Sequence, residues 1–255
     1  MEDKEIIKAK NLTKIYGNIT VVDHVSFGIK EGEIFGFLGP NGAGKTTTLL
    51  MLLGLCEPTY GRAEVLGFDP IKEPTEVKRV VGYLPENVGF YQDLTPIETL
   101  EFIGEMNSIP KKELKKRIQE LLFLVGLAKD SSKKVGAFSR GMKQRLGIAE
   151  VLLKEPKIVF LDEPTLGLDP EGSRELIQFI KELNQNKGLT VLISSHNLPQ
   201  VQEISHRVGI MLEGKLVALG SIKELTQEKL GLGDKEYSLE EIYHMYFKGE
   251  KDERT

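Results

Sequence analysis

Gly39-Pro40-Asn41-Gly42-Ala43-Gly44-Lys45-Thr46 is the stretch from which the rest of the chain can be read. It fits G-x-x-x-x-G-K-[ST] without a mismatch, and its context agrees. Residues 34–38, Ile-Phe-Gly-Phe-Leu, read as a strand before it, and residues 46–53 read as a helix after it. Glycines let the backbone curl tightly enough to turn its N–H groups toward phosphate oxygens. The helix N-terminus behind them adds the positive end of its dipole. Lys45 is then placed to reach the β- and γ-phosphates, and the Thr46 hydroxyl to meet Mg2+. This loop indicates binding of a nucleoside triphosphate. It does not separate kinases, GTPases and transporters.

Downstream, the apolar run 158–161 ends in Asp162-Glu163. A buried strand ending in two carboxylates delivers them to the carboxyl edge of a sheet, where open α/β sheets bind ligands. Asp162 suits the holding of Mg2+, and Glu163 is left to orient or deprotonate an attacking water. Further apolar runs at 80–84 and 189–194 alternate with helical patterns, so the expected class is α/β with a largely parallel sheet. Residues 6–9 and 25–29 partly alternate around Tyr16-Gly17-Asn18 and predict antiparallel strands beside that core.

Between residues 95 and 154 the pattern is helical. Thr95-Pro96-Ile97-Glu98 is a start signal with Thr as N-cap and Glu three residues on. A second helix is expected over 111–124, ending near Gly126, its lysines forming a solvated face. Ser238-Leu239-Glu240-Glu241 opens a short amphipathic helix through Phe247, before a charged end at 248–255.

The 255 residues carry 34 Lys and Arg against 38 Asp and Glu, a net charge of −4 that offers nucleic acid no basic surface. The single cysteine, Cys56, cannot form an internal disulfide and suits a reducing compartment. No stretch approaches 18 uncharged apolar residues, so no membrane span is expected, and the charged N-terminus does not read as a signal peptide.

Phe138-Ser139-Arg140-Gly141-Met142-Lys143-Gln144-Arg145 lies between the two phosphate motifs, and Leu166-Gly167-Leu168-Asp169 and Ser194-Ser195-His196 follow them. This order, over roughly residues 5–220, resembles the ATP-binding subunit of ABC transporters. The resemblance implies a P-loop NTPase (RecA-like) α/β core with an antiparallel β subdomain and a helical subdomain. The ATP-binding domain is expected over 1–220, its helical part inserted at about 88–145, with a C-terminal extension over 221–255.

Site residues follow from the same resemblance. ATP is held by Tyr16 stacked on adenine, by Gly39, Pro40, Asn41, Gly42, Ala43, Gly44, Lys45, Thr46 and Thr47, and by Ser139 and Gly141 reaching the partner subunit's γ-phosphate. Lys45, Glu163 and His196 are the expected catalytic residues, with Asp169 crossing the dimer interface. Thr46, Asp162 and Glu86 are the expected Mg2+ residues. Two departures stand out. Arg140 replaces a glycine of the signature loop, adding a cation that either assists the site or merely decorates it. Glu86 replaces a glutamine, and an ionised carboxylate only accepts hydrogen bonds.

The resemblance implies an ATPase that dimerises around two ATP molecules and drives a separate integral-membrane permease. The second ATP-binding subunit is expected to be another copy, with no nucleic acid partner, on the cytoplasmic face of the cell membrane as a peripheral subunit. Residues 82–86, 95–100 and 139–145 are similar to the drug, lipid, antibiotic and sodium exporter branch. Tyr83-Leu84-Pro85-Glu86-Asn87-Val88, Phe90-Tyr91 and His196 with Leu198-Pro199 and Val201 look most like the copper-linked nitrous-oxide-reductase maturation (Nos) ATPase. Phe90 and Tyr91 fit either a permease contact or core packing. A soluble ABC ATPase acting on the ribosome is the alternative, although the chain carries no long heptad insertion.

Overall fold

The computed structural model describes residues 4–230 and 238–244. Its chain opens with two long strands, β1 (Glu5–Tyr16) and β2 (Ile19–Lys30), paired antiparallel. They join at Gly17-Asn18, where Gly17 takes φ 58°, a conformation glycine adopts without a Cβ penalty. Both strands run well beyond the expected segments. Register shifts along β1, between Ala9 and Leu12 and on to Ile15, carry polar residues such as Asn11 and Lys14, which hide the alternation in the sequence.

Next come β3 (Ile34–Leu38), α1 (Lys45–Leu52), β4 (Tyr60–Val65), α2 (Pro74–Val80) and β5 (Val81–Leu84). Val80, expected to begin a strand, is the last residue of α2, and the backbone turns extended only at Val81 with φ −111° and ψ 129°. The helices α3 (Pro96–Met106), α4 (Lys111–Leu124) and α5 (Arg140–Leu152) follow. Then β6 (Ile158–Asp162), α6 (Pro170–Lys187), β7 (Thr190–Ser195), α7 (Leu198–Ile204), β8 (Arg207–Leu212), β9 (Lys215–Gly220) and α8 (Ile222–Leu230) complete the order. The run expected from Leu189 thus begins at Thr190.

Two sheets result. One is three-stranded, β2-β1-β4; the other is six-stranded, β5-β6-β7-β3-β8-β9, parallel except for β9. The parallel strands are apolar on both faces, and alternate residues enter different clusters. Val159, Leu161, Val191 and Ile193 face the helical side, among Leu100, Leu114, Ile118, Leu146 and Ile177. Phe35, Phe37, Phe160 and Leu192 face the antiparallel sheet. There Phe27 of β2 stacks on Phe35 of β3 with centroids 5.6 Å apart, which ties the two sheets together.

Thr95 and Glu98 make the reciprocal capping box at the start of α3. On α4 the buried face is Leu114, Ile118, Leu121 and Leu122, while Lys116 pairs with Glu120, and Arg117 with Glu113 and Glu155. The expected solvated face is the observed one. Phe90 and Tyr91 divide: Phe90 packs on the core, and Tyr91 is exposed, edge-on to Phe102 with centroids 5.8 Å apart.

At the far end, Leu225, Leu239 and Ile242 are buried with Leu38, Leu198, Val201 and Ile210. Residues 239–244 are helical, and Ser238 and Glu241 cap them reciprocally. The expected continuation through Met245, Tyr246 and Phe247, and the charged end, lie outside the described residues. No helix among the described residues is long and apolar enough to cross a membrane.

Candidate active site

The sheet order places the carboxyl ends of β5, β6, β7 and β3 side by side. Glu86, Asp162-Glu163, His196 and the glycine loop leave from these ends in turn, at one edge of the sheet. The loop is pressed between two other strands. A Cβ on Gly39 would overlap the Met211 carbonyl at the end of β8, and one on Gly44 (φ 97°) would lie 2.5 Å from the Val21 carbonyl of β2. Only glycine fits both backbones so closely. Lys45 Nζ donates to the Gly39 carbonyl at 2.8 Å and to that of Pro40 at 3.3 Å, and its side chain is 6% exposed. Asn41, Gly42 and Thr46 are exposed, Thr47 is half-buried and Ala43 is buried.

Glu163 takes φ 47° and is the buried member of the non-glycine residues with positive φ among the described residues. Such a conformation costs on the order of 1–3 kcal/mol and persists where surroundings over-determine it. Here they do. The Glu163 N–H donates to the Ser194 carbonyl at 3.1 Å, while its carboxylate bridges two other elements. Oε1 lies 3.3 Å from Lys45 Nζ, an ion pair outside hydrogen-bond alignment, and has no hydrogen-bond partner among the described residues. Oε2 lies 2.9 Å from His196 Nδ1 and accepts the His196 N–H at 3.4 Å. Lysine, glutamate and histidine thus form one linked chain across three strand ends.

Asp162 is buried and accepts a hydrogen bond from the Ser194 hydroxyl. The Tyr83 phenol is pushed well above its usual range, first by burial, then by the charge of Asp162 and a hydrogen bond with it, and last by Glu86. Neither Tyr83 nor Ser194 was singled out in the sequence for contact with Asp162. Parallel pairing sets Ser194 opposite Asp162 and Tyr83 opposite Phe160, a register between strands distant in the chain that no local pattern announces.

Among the described residues no cluster of three or more His, Cys, Asp or Glu forms a metal cage. Mg2+ needs none, because it keeps waters and substrate phosphates and takes one or two protein carboxylates. The hard oxygens of Asp162 and the exposed Thr46 hydroxyl fit that demand. Glu86 stands near Tyr83, and no hydrogen bond among the described residues links it to Asp162 or Thr46.

Tyr16 sits at the end of the β1–β2 hairpin, half exposed, with Lys14 Nζ 4.9 Å from its ring centre. Its hydroxyl is 3.2 Å from Cys56 Sγ, and that hydrogen bond raises the phenol's pKa. Ser139 caps α5, accepting the Met142 N–H at 3.3 Å. Its loop meets residues 166–169 instead of the phosphate loop. A Cβ on Gly141 would lie 3.6 Å from Leu168, and the Arg140 guanidinium covers Gly167. No hydrogen bond or ion pair among the described residues joins Ser139 or Gly141 to Lys45, Glu163 or the glycine loop.

The profile of the family described as ABC transporter matches residues 22–166. The chain belongs to the ABC transporter family. The bacitracin transport ATP-binding protein BcrA of Bacillus licheniformis is 47% identical over 212 residues, 83% of this chain and 68% of that protein. The linearmycin resistance ATP-binding protein LnrL of Bacillus subtilis is 39% identical over 220 residues, 86% of this chain and 70% of that one. Among solved structures, an ATP-binding subunit of an ABC transporter superposes with TM-score 0.83 and 30% identity, covering 95% of this chain and 99% of that one. A dimeric post-hydrolysis state of an ATP-binding cassette bound to ADP and Pi superposes with TM-score 0.76 and 27% identity, covering 84% of this chain and 98% of that one. This ABC protein is an ATP-binding, ATP-hydrolysing subunit of a transporter.

Proposed function

We propose that each ATP is hydrolysed in a site shared by two copies of the chain. One copy supplies Tyr16, residues 39–47, Asp162, Glu163 and His196, and the other supplies Ser139 and Gly141. The observation that carries this reading is the Lys45–Glu163–His196 chain, with separations of 3.3 and 2.9 Å, beside a glycine loop pressed against two strands. Lys45 exchanges its carbonyl and Glu163 partners for phosphate oxygens. Glu163, released on that side and still held by His196, accepts the proton of the water that attacks the terminal phosphorus as the bond to the bridging oxygen breaks. His196 holds that carboxylate and reaches the terminal phosphate. Ser139, at the N-terminus of α5, brings backbone N–H groups and a dipole end to the same phosphate from the second copy. Asp162 and Thr46, with Glu86 as a further candidate, would hold Mg2+, which when bound would supply neutralisation of the charge developing on the phosphates.

Residues 1–220 are the ATP-binding domain in this reading, with 88–145 as its helical part and 221–255 as an extension. Exposed Tyr91 and Phe102 face a separate integral-membrane permease, which holds the subunit at the cytoplasmic face of the membrane. The relatives named for bacitracin and linearmycin make antibiotics the first cargo class to test. The Nos-like cargo rests on the loop residues around Tyr83 and His196 and comes second.

Phosphate release from MgATP by the purified chain, beside Lys45→Ala, tests the reading. Loss of a charge-assisted phosphate contact should weaken ATP binding about 100-fold. Unchanged affinity would remove Lys45 from the site.

A further inference from the structure

The C-terminal segment reaches the phosphate loop. An open cavity of about 320 Å3 is lined by Gly39, Pro40 and Asn41 of the loop, by His196 and Leu198, and by Tyr243. The last of these comes from the helical residues 239–244, far outside the motifs that hold the nucleotide. Its position is fixed by packing. Leu239 and Ile242, which precede it in the helix, are buried against Leu38 and Leu198, and the Leu239 N–H donates to Gln202 Oε1 of α7 at 2.8 Å. Leu38 is the last residue of β3, directly before the loop, and Leu198 begins α7 two residues after His196. The segment therefore rests on the two elements that carry the two walls of the cavity.

The orientation of the cavity follows from the site's chemistry. Glu163 must face the phosphate that water attacks, and His196 is bonded to Glu163 at 2.9 Å. The wall bearing His196 is thus the terminal-phosphate side. Tyr243 lies at that end. Its ring is half-buried, and burial raises its phenol pKa, as expected of a tyrosine seated in the fold.

We propose that Tyr243 is a positioning residue for the terminal-phosphate end of the nucleotide site, so that the C-terminal segment takes part in telling ATP from ADP. The inference rests on the ATPase reading above. Tyr243 shares this cavity with the loop and His196, and the presence of a γ-phosphate changes what both must contact.

The chain contains no tryptophan, so Tyr243→Trp places a single indole at this cavity in the full-length protein. Its emission should change on adding MgATP, change less with MgADP, and stay constant when Lys45→Ala is also present. Separately, Tyr243→Ala should raise the KM for ATP about fivefold with kcat retained, a split that loss of folded protein would not produce. Affinity for ADP should stay within about twofold of the unmodified chain, and Tyr243→Phe should recover the KM. An emission indifferent to saturating MgATP, with Tyr243→Ala showing the unmodified KM, in a preparation whose unmodified chain hydrolyses ATP, would overturn the inference. Failure of the unmodified chain to hydrolyse ATP would instead overturn the ATPase reading, and the inference with it.

Discussion

The phosphate loop and the signature turn are both glycine-bearing turns leading into helices, yet their surroundings differ. At the phosphate loop, Gly39 and Gly44 meet the carbonyls of Met211 and Val21, and the side chains of Lys45 and Glu163 are 6% and 7% exposed. At residues 139–142 and 166–169, Ser139, Arg140, Gly167 and Asp169 are exposed. That pair of turns is held by local caps, Ser139 to the Met142 N–H and Asp169 to the Gly172 N–H at 2.9 Å, and by one arginine laid over Gly167. The first turn is finished inside its own chain. The second lies open to solvent, and among the described residues no hydrogen bond or ion pair joins Ser139 or Gly141 to the phosphate loop. The contrast is what a site divided between two copies requires.

Three substitutions press on this contrast, in decreasing order of effect. Glu163→Gln removes the proton acceptor and keeps the size of the side chain. Phosphate release should fall by about 10²–10⁴ while ATP still binds; a rate equal to the unmodified chain would end the role given to Glu163. Gly39→Ala and Gly167→Ala compare the two turns directly. The first drives a methyl into the Met211 backbone carbonyl and should cost about 3 kcal/mol in denaturant unfolding. The second meets only the movable end of Arg140, at φ 72°, and should cost about 1 kcal/mol. Equal losses would erase the distinction between a packed and a presented turn.

Thr95→Ala, away from both turns, sets the scale for an ordinary cap. The Thr95 N–H and hydroxyl hold the Glu98 carboxyl below its usual value of 4.5, with Lys134 adding to this. The folded state thus favours the ionised form, so this stabilisation is complete above pH 4.5 and is lost as the pH falls through the lowered pKa. The substitution should lower Tm by about 2 °C near neutral pH, with a deficit that shrinks in acid. A deficit independent of pH would exclude the Thr95 hydroxyl from the contacts that lower the Glu98 pKa.

What the sequence made legible follows the same division. Lys45 and its glycines, Asp162-Glu163 and Thr95-Glu98 are short patterns whose chemistry is local, and the strands and caps formed where they were expected. The lengths of β1 and β2 were hidden because register shifts put polar residues where alternation needs apolar ones. β4, β8 and β9 went unread, since β4 has mostly exposed residues and β8, to which β9 is joined as a hairpin, takes its place by pairing with the distant β3. Ser194 and Tyr83 beside Asp162, and Tyr243 beside the loop, depend on register and on packing of chain ends. The left-handed turn at Glu163 leaves no mark in composition at all.

The division of the site is tested most directly by mixing two defective chains, Lys45→Ala and Ser139→Ala, and measuring ATP hydrolysis. In a mixed dimer one site carries both defects and the other carries neither. The account predicts that the mixture hydrolyses ATP faster than either variant alone. A rate no higher than the average of the two would contradict it, because it would place Lys45 and Ser139 in the same site of the same chain.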